Sequence, residues 1–331
     1  CLNAISDTVG RPTPPPPPST LGTFLLSSMV FSRIVVTLTV LCCAGLNTGV
    51  TSSMAPNKMA VQGLAGDYNE TLAKVAVKWA AATYCCGTLG HGCDDWSCPS
   101  CDGSMETVVF SHSSTDANGF VGYDSDTNII VVAFAGTDPL SIQNWIDDID
   151  IIKVDYPPCS AAGLDGCKVD QGFYNAYNSV QDDVRSAVAS FSADHPSAKL
   201  YVTGHSLGAA MSMLAALDLS DQGFLIDALY NFGQPRTGNE AFVDYYNMKT
   251  INTARITHHH DPVPHLPMES WGFHHEPTEV YYNEFSTSYT VCDGSGEDPK
   301  CSDANLLDVN LVDHLTYMKY DFITNYLKCK L

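Results

Sequence analysis

Positive charge is scarce in this chain. Sixteen lysines and arginines face 37 aspartates and glutamates, a formal net charge of −21. Nucleic-acid binding and adhesion to an anionic membrane would both begin with like-charge repulsion, so neither is expected. Long apolar runs are scarce too. The one candidate lies in "MVFSRIVVTLTVLCCAGLNTG", from Met29. Its run of about a dozen apolar residues is short of the ~20 that a membrane-spanning helix needs, which excludes stable insertion. No internal repeat is visible. No second C-x-x-C stands at a matching distance from Cys98 and Cys101, so a zinc site built with Cys93 and His91 is not expected.

What is present points to export. Arg33, the short apolar run and the small residues after it read as a secretory signal peptide over 29–50, with cleavage between 44 and 55. Residues 1–28 carry no initiator Met and contain "PTPPPPP", which reads as extended or disordered and upstream of the true start at Met29. Hydrophobic residues make up 45% of the chain, enough for one sizeable core over 56–331. Of 13 cysteines, Cys1, Cys42 and Cys43 fall in the removable part, leaving ten that can form five disulfides in an oxidising compartment. Asn69-Glu70-Thr71 is a glycosylation sequon that export would make usable.

Strand and helix patterns alternate. "DYNETLAKVAVKWAAATYC" has helical spacing, and "ETVVFSHSS", "GFVGYD" and "NIIVVAFAGT" read as strands. "VDQGFYNAYNSVQDDVRSAVASFSADHP" reads as a long amphipathic helix ending before Pro196. Strand-first units then follow at "AKLYVTGHSLGAAMSMLAALDL", "ALYNFGQPRTGNEAFVDYY" and "TARITHHHDPVPHLP". This order predicts an α/β fold with one mostly parallel central sheet flanked by helices.

Gly204-His205-Ser206-Leu207-Gly208 is a G-x-S-x-G motif. The pentapeptide alone is weak, but an apolar strand enters it and an Ala/Met/Leu helix leaves it, the setting of a nucleophile elbow. A serine needs a base to take its proton, and the base needs a carboxylate to orient it. On such sheets the chain order is Ser, then Asp or Glu, then His. Asp261, read as ending a strand and held by Pro262 and Pro264, is the candidate carboxylate. His314, read in a late loop, is a candidate base beside His265, His274 and His275. Three consecutive histidines on a strand alternate faces, so His258, His259 and His260 are not expected to share a metal ion.

At "VVAFAGT", "SIQNWIDD", "GFYNAYNSV", "VTGHSLGAA", "NFGQPRTGNEAF", "DPVPHLP" and "DHLTYM" the chain resembles the class 3 lipases, typified by the Rhizomucor-type secreted triacylglycerol lipases of filamentous fungi. The resemblance implies an α/β-hydrolase fold with a short helical lid, a triad of Ser206, Asp261 and His314, and an oxyanion hole at Thr137 and Leu207. It also implies disulfides Cys98–Cys101, Cys159–Cys167 and Cys292–Cys301. Of Cys85 and Cys86, one is left for Cys329 and the other for Cys93. The implied lid explains an apolar stripe on a short acidic segment: Ile142, Trp145, Ile146 and Ile149 would face an acyl groove. The implied activity is hydrolysis of neutral lipid esters at an oil–water interface by a secreted monomer, with no cofactor and no metal. A feruloyl or related carbohydrate esterase is the alternative on the same fold, and a non-catalytic binder on a hydrolase scaffold is the alternative outside enzymes. Two positions depart from the family pattern: Ala135 where Arg is usual, and Asp170 where His is usual.

Overall fold

The computed structural model describes residues 68–86, 92–149 and 151–330. The Pro-rich stretch, the signal segment with its cleavage window, and His91 lie outside the described residues. Eight strands form one sheet whose spatial order follows the chain: β1 (Met105–His112), β2 (Ala117–Asp124), β3 (Ile129–Phe134), β4 (Lys199–His205), β5 (Ala228–Phe232), β6 (Thr253–His258), β7 (Glu279–Tyr282) and β8 (Tyr289–Val291). The helices used below are α1 (Glu70–Ala82), α2 (Ile142–Asp148), α3 (Gln171–Asp194), α4 (Leu207–Asp221), α5 (Glu240–Asn247), α6 (Leu311–His314) and α7 (Phe322–Cys329).

Short turns make the first two pairings antiparallel. In the second turn Asp124 accepts from the Asp126 N–H at 2.9 Å, and Asn128 takes a φ of 55°, a conformation Asn tolerates. From β3 to β7 the four pairings are parallel, three of them joined by helical crossovers, and β8 closes the edge antiparallel.

The register of β3 shows why its sequence is a continuous apolar run. Ile130, Val132 and Phe134 belong to one core, and Ile129, Val131 and Ala133 to the other. Both faces of a parallel sheet are covered, so alternation with polar residues disappears. On the first face lie α3 and α4. Phe173, Tyr177, Val180, Val184, Val188 and Phe191 form the buried stripe of α3 at helical spacing. Helix α4 is buried from Gly208 to Leu219 on all sides, as a helix apolar all round must be. The second face holds α1, whose alanines let it lie close to the sheet, and α7.

Among the described residues there are five disulfides: Cys85–Cys329, Cys86–Cys93, Cys98–Cys101, Cys159–Cys167 and Cys292–Cys301. The choice left open between Cys85 and Cys86 therefore falls to Cys85 for Cys329. This bond joins the end of the first helical segment to α7 across 244 residues. Among the described residues, no helix is long and apolar enough to cross a membrane.

Candidate active site

Ser206 sits where β4 gives way to α4, with φ 59° and ψ −130°. A non-glycine residue at positive φ is strained, and close backbone crossings hold it there. A Cβ on Gly204 would stand 2.2 Å from the Gly208 carbonyl oxygen, and one on Gly208 would stand 2.3 Å from the Phe134 carbonyl oxygen. Neither position can carry a side chain, which is why glycines flank this serine. The Ser206 N–H donates to the Phe232 carbonyl at 3.0 Å.

The two other expected members meet on the far side of β5. Asp261 lies three residues beyond β6 rather than at the strand's end, and His314 closes the short helix α6 rather than standing in a loop. His314 Nδ1 is 2.9 Å from Asp261 Oδ2 and 3.0 Å from Oδ1. The Tyr317 hydroxyl also donates to Oδ2, and the Val263 N–H donates to Oδ1 at 2.8 Å. Burial pushes the Asp261 carboxyl up, but the facing His314 and the Tyr317 and Val263 donors outweigh it and hold it below the usual carboxylate range. Gly233, at φ 56°, leaves room for the cluster, since a Cβ there would be 2.9 Å from Asp261 Oδ2, His314 Nδ1 and the Tyr317 oxygen alike.

With its Nδ1–H donating to Asp261, the neutral tautomer of His314 leaves Nε2 as an acceptor. That atom and Ser206 Oγ are both buried and make no hydrogen bond among the described residues, so their mutual contact is open in this structure. One is a donor lacking an acceptor and the other an acceptor lacking a donor. The competing histidines do not join them. His265 Nδ1 faces Asp303 at 3.3 Å, His275 Nε2 donates to the Pro264 carbonyl at 2.8 Å, and the His274 N–H pairs with Gly238.

Thr137 and Leu207 line a cavity of about 750 Å³. Ser206 is not among the lining residues but sits against one of them, since a Cβ on Gly136 would come within 2.9 Å of Ser206 Cβ. The segment after Thr137 folds into α2, at the cavity's edge. Trp145 stacks on Phe173 with centroids 6.3 Å apart, and Trp145 and Ile149 form part of the wall. Ile142 is buried and Ile146 half-buried, and neither lines the cavity; Ile149 lies one residue past the helix rather than within it. Asp138 anchors the start of this segment: its Oδ1 accepts the Leu140 N–H at 2.8 Å and its Oδ2 the Tyr326 hydroxyl of α7. Of the two departures, Ala135 and Asp170 both line the cavity, and Asp170 caps α3 by accepting the Phe173 N–H at 3.1 Å.

The family model for lipase (class 3) matches residues 131–271. The lipase of Rhizomucor miehei is 35% identical over 230 residues, which span 67% of this chain and 61% of that lipase's own length. Secreted mono- and diacylglycerol lipase A of Penicillium cyclopium is 34% identical over 214 residues, 62% of this chain and 68% of that protein. The chain belongs to the class 3 lipases. A solved triacylglycerol lipase whose catalytic centre is formed by a serine protease triad agrees, with a TM-score of 0.70 at 31% identity, covering 77% of this chain and 96% of its own.

In this class 3 lipase a second layer of residues supports the triad candidates. The His205 Nε2–H donates to the His314 carbonyl at 2.8 Å, which leaves His205 Nδ1 to accept the Tyr84 hydroxyl at 2.6 Å. Phe322 of α7 stacks on the His205 ring at 3.9 Å. Burial, then the neighbouring His314, pushes the His205 imidazole well below the ordinary histidine range. Burial, then Arg255 and Arg236, does the same to His275. Both are therefore neutral when folded, while the unfolded chain binds their protons below about pH 6.5. Stability from these groups is fully present above that pH and is lost as pH falls below it. Glu276, pushed up by burial, acts in the opposite sense near the acid end. Thermal melts should show a Tm several degrees lower at pH 5 than at pH 7; a flat profile would contradict the assignment. Of this layer His205 stood in a motif, as the x of G-x-S-x-G, and Tyr317 stood within "DHLTYM", whereas Tyr84 and Tyr326 carry no local signal.

Proposed function

We propose that this lipase is secreted, acts as a monomer and hydrolyses glyceride esters at an oil–water interface, with triacylglycerols as its substrate. Ser206 Oγ attacks the ester carbonyl carbon while His314 Nε2 takes its proton. The tetrahedral oxyanion is held by N–H groups of Leu207 and Thr137, the Thr137 hydroxyl assisting. Collapse of the intermediate expels the alcohol, to which His314 returns the proton, and an acyl group remains on Ser206. Water, deprotonated by the same nitrogen, attacks the acyl carbon, and the carboxylic acid leaves. Asp261 keeps His314 in the tautomer that exposes Nε2 and stabilises the imidazolium formed in each half-reaction.

The observation that carries the lipid reading is the apolar wall made by Trp145 and Ile149 beside a fully buried serine. A substrate must displace this segment to reach Ser206. A tryptophan carries about 150–250 Å² of surface, so its transfer from the cavity to a lipid phase involves several kcal/mol on either side. A small difference between the two then sets the open population. The five disulfides and the secreted relative support an oxidising, extracellular setting.

The test compares initial rates on emulsified long-chain glyceride and on a soluble short-chain ester. A rate that climbs as the emulsion forms supports the reading, and faster turnover of methyl ferulate than of tributyrin overturns it in favour of the carbohydrate esterase. Trp145→Ser should lower the emulsion rate about tenfold, the equivalent of 1.4 kcal/mol, and leave the soluble-ester rate within about twofold. Equal losses on both substrates would mean that Trp145 is only part of the core.

A further inference from the structure

The histidine run departs from the strand geometry expected for it. His258 ends β6 and is buried, with its ring nitrogens 3.0 Å from the Asp313 carbonyl and 3.1 Å from the Glu284 carbonyl. His259 then takes a φ of 40° and the chain leaves the strand, so His259 and His260 no longer point to opposite faces. Their rings lie parallel, with centroids 3.7 Å apart and an angle of 10° between planes.

Asp313 reaches into this pair. Its Oδ2 accepts from His259 Nδ1 at 2.9 Å and from the His260 N–H at 3.2 Å. One donor atom from each of His259, His260 and Asp313 falls within 4.8 Å of the others. The backbone also clamps the two segments, since the Asn310 N–H donates to the His260 carbonyl at 2.7 Å and Asn305 Nδ2 to the His259 carbonyl at 3.2 Å. The site is reachable: the His259 and His260 side chains are 26% and 21% exposed, and Asp308, 3.6 Å from His260 Nδ1, is open to solvent. The other cluster of metal-type donors, Glu279 with Cys292 and Cys301, has both sulfurs in a disulfide and offers no thiolate.

We propose that His259, His260 and Asp313 bind one divalent transition-metal ion of borderline softness, with Asp308 able to complete the set. Two imidazoles and one carboxylate suit Zn²⁺ and its neighbours rather than Ca²⁺ or Mg²⁺, which prefer all-oxygen sites. The two rings are parallel here, so their in-plane lone pairs do not converge, and binding requires the His260 ring to turn toward Asp313. The net charge of −21 raises the local concentration of cations. None of the three residues lines the cavity above Ser206. The ion's role is therefore structural: it bridges the turn leading to Asp261 and the helix ending in His314, and supplies no chemistry to the ester.

The experiment uses the untagged, EDTA-stripped protein and ZnCl₂ as the probe. Titration calorimetry should show one equivalent bound. At a free concentration about 100 times the dissociation constant, Tm should rise by roughly 5 °C. His259→Asn with His260→Asn should weaken binding at least tenfold and abolish the Tm rise; asparagine is chosen because it tolerates the positive φ at 259. Should the double variant fail to fold, His260→Asn alone serves, with the same tenfold loss expected. Absence of saturable one-to-one binding, binding undiminished in the variant, or displacement of Zn²⁺ by millimolar Ca²⁺ would each overturn the proposal.

Discussion

Ser206→Ala is expected to remove labelling by a fluorophosphonate and to lower kcat on any ester by a factor on the order of 10⁶, with Tm unchanged or slightly raised. The kinetic part follows from chemistry, since the substitution removes the hydroxyl proposed to attack the ester. The stability part follows from the geometry of the serine itself. Its Oγ is buried and makes no hydrogen bond among the described residues. A buried polar group without a partner is a liability of about 1–3 kcal/mol, so deleting it costs the folded state nothing. The strained φ of 59° is shared by Ser and Ala and cancels in the comparison. Retained labelling would move the nucleophile elsewhere. A Tm several degrees lower would mean that the hydroxyl is a structural bond rather than a group held ready.

Asp261→Asn is expected to reduce kcat by about 10⁴ with little change in KM, and to lower Tm as well. The wild-type carboxylate accepts from three donors: the His314 Nδ1–H, the Tyr317 hydroxyl and the Val263 N–H. An amide has one accepting oxygen and one donating nitrogen. If the oxygen serves Val263, the nitrogen faces His314 and forces it to offer its Nδ1 lone pair, which puts the proton on Nε2. The base is then blocked at the atom that must receive the Ser206 proton. If the amide is flipped, the Val263 N–H is orphaned in the interior, at about 1–3 kcal/mol. Initial-rate kinetics with a thermal melt checks both halves. An unchanged kcat would remove Asp261 from the mechanism, and a fall in KM to match kcat would point to substrate binding instead.

The fold was legible because its strongest signals are local. The apolar run of β3, the helical spacing of α3 and the Gly-Ser-Gly turn each follow from a few neighbouring residues. Asp261 and His314 were legible as types and as an order, but from spacing alone His314 stood only modestly ahead of His265, His274 and His275. What marks His314 in the structure is its carboxylate partner: its Nδ1 is 2.9 Å from Asp261 Oδ2, whereas His275 Nε2 bonds to the Pro264 carbonyl. The histidine run was misread for a different reason. Period-two alternation holds only while the strand lasts, and the positive φ at His259 ends it one residue too early for the argument. Tyr84 and Tyr326 were invisible because nothing local marks a tyrosine that will cross the molecule to find one acceptor.

The last helix reaches the chemistry by three routes described above: the Cys85–Cys329 bond, the Phe322 ring on His205 and the Tyr326 hydroxyl on Asp138. The C-terminal end of the domain therefore behaves as a keystone rather than a tail. A protease nick or a premature stop codon after Tyr320 would spare every residue of the Ser206–Asp261–His314 set and still disarm the enzyme. Preparations kept in reductant lose one of the same three ties, and for them intact mass is a poor guide to potency.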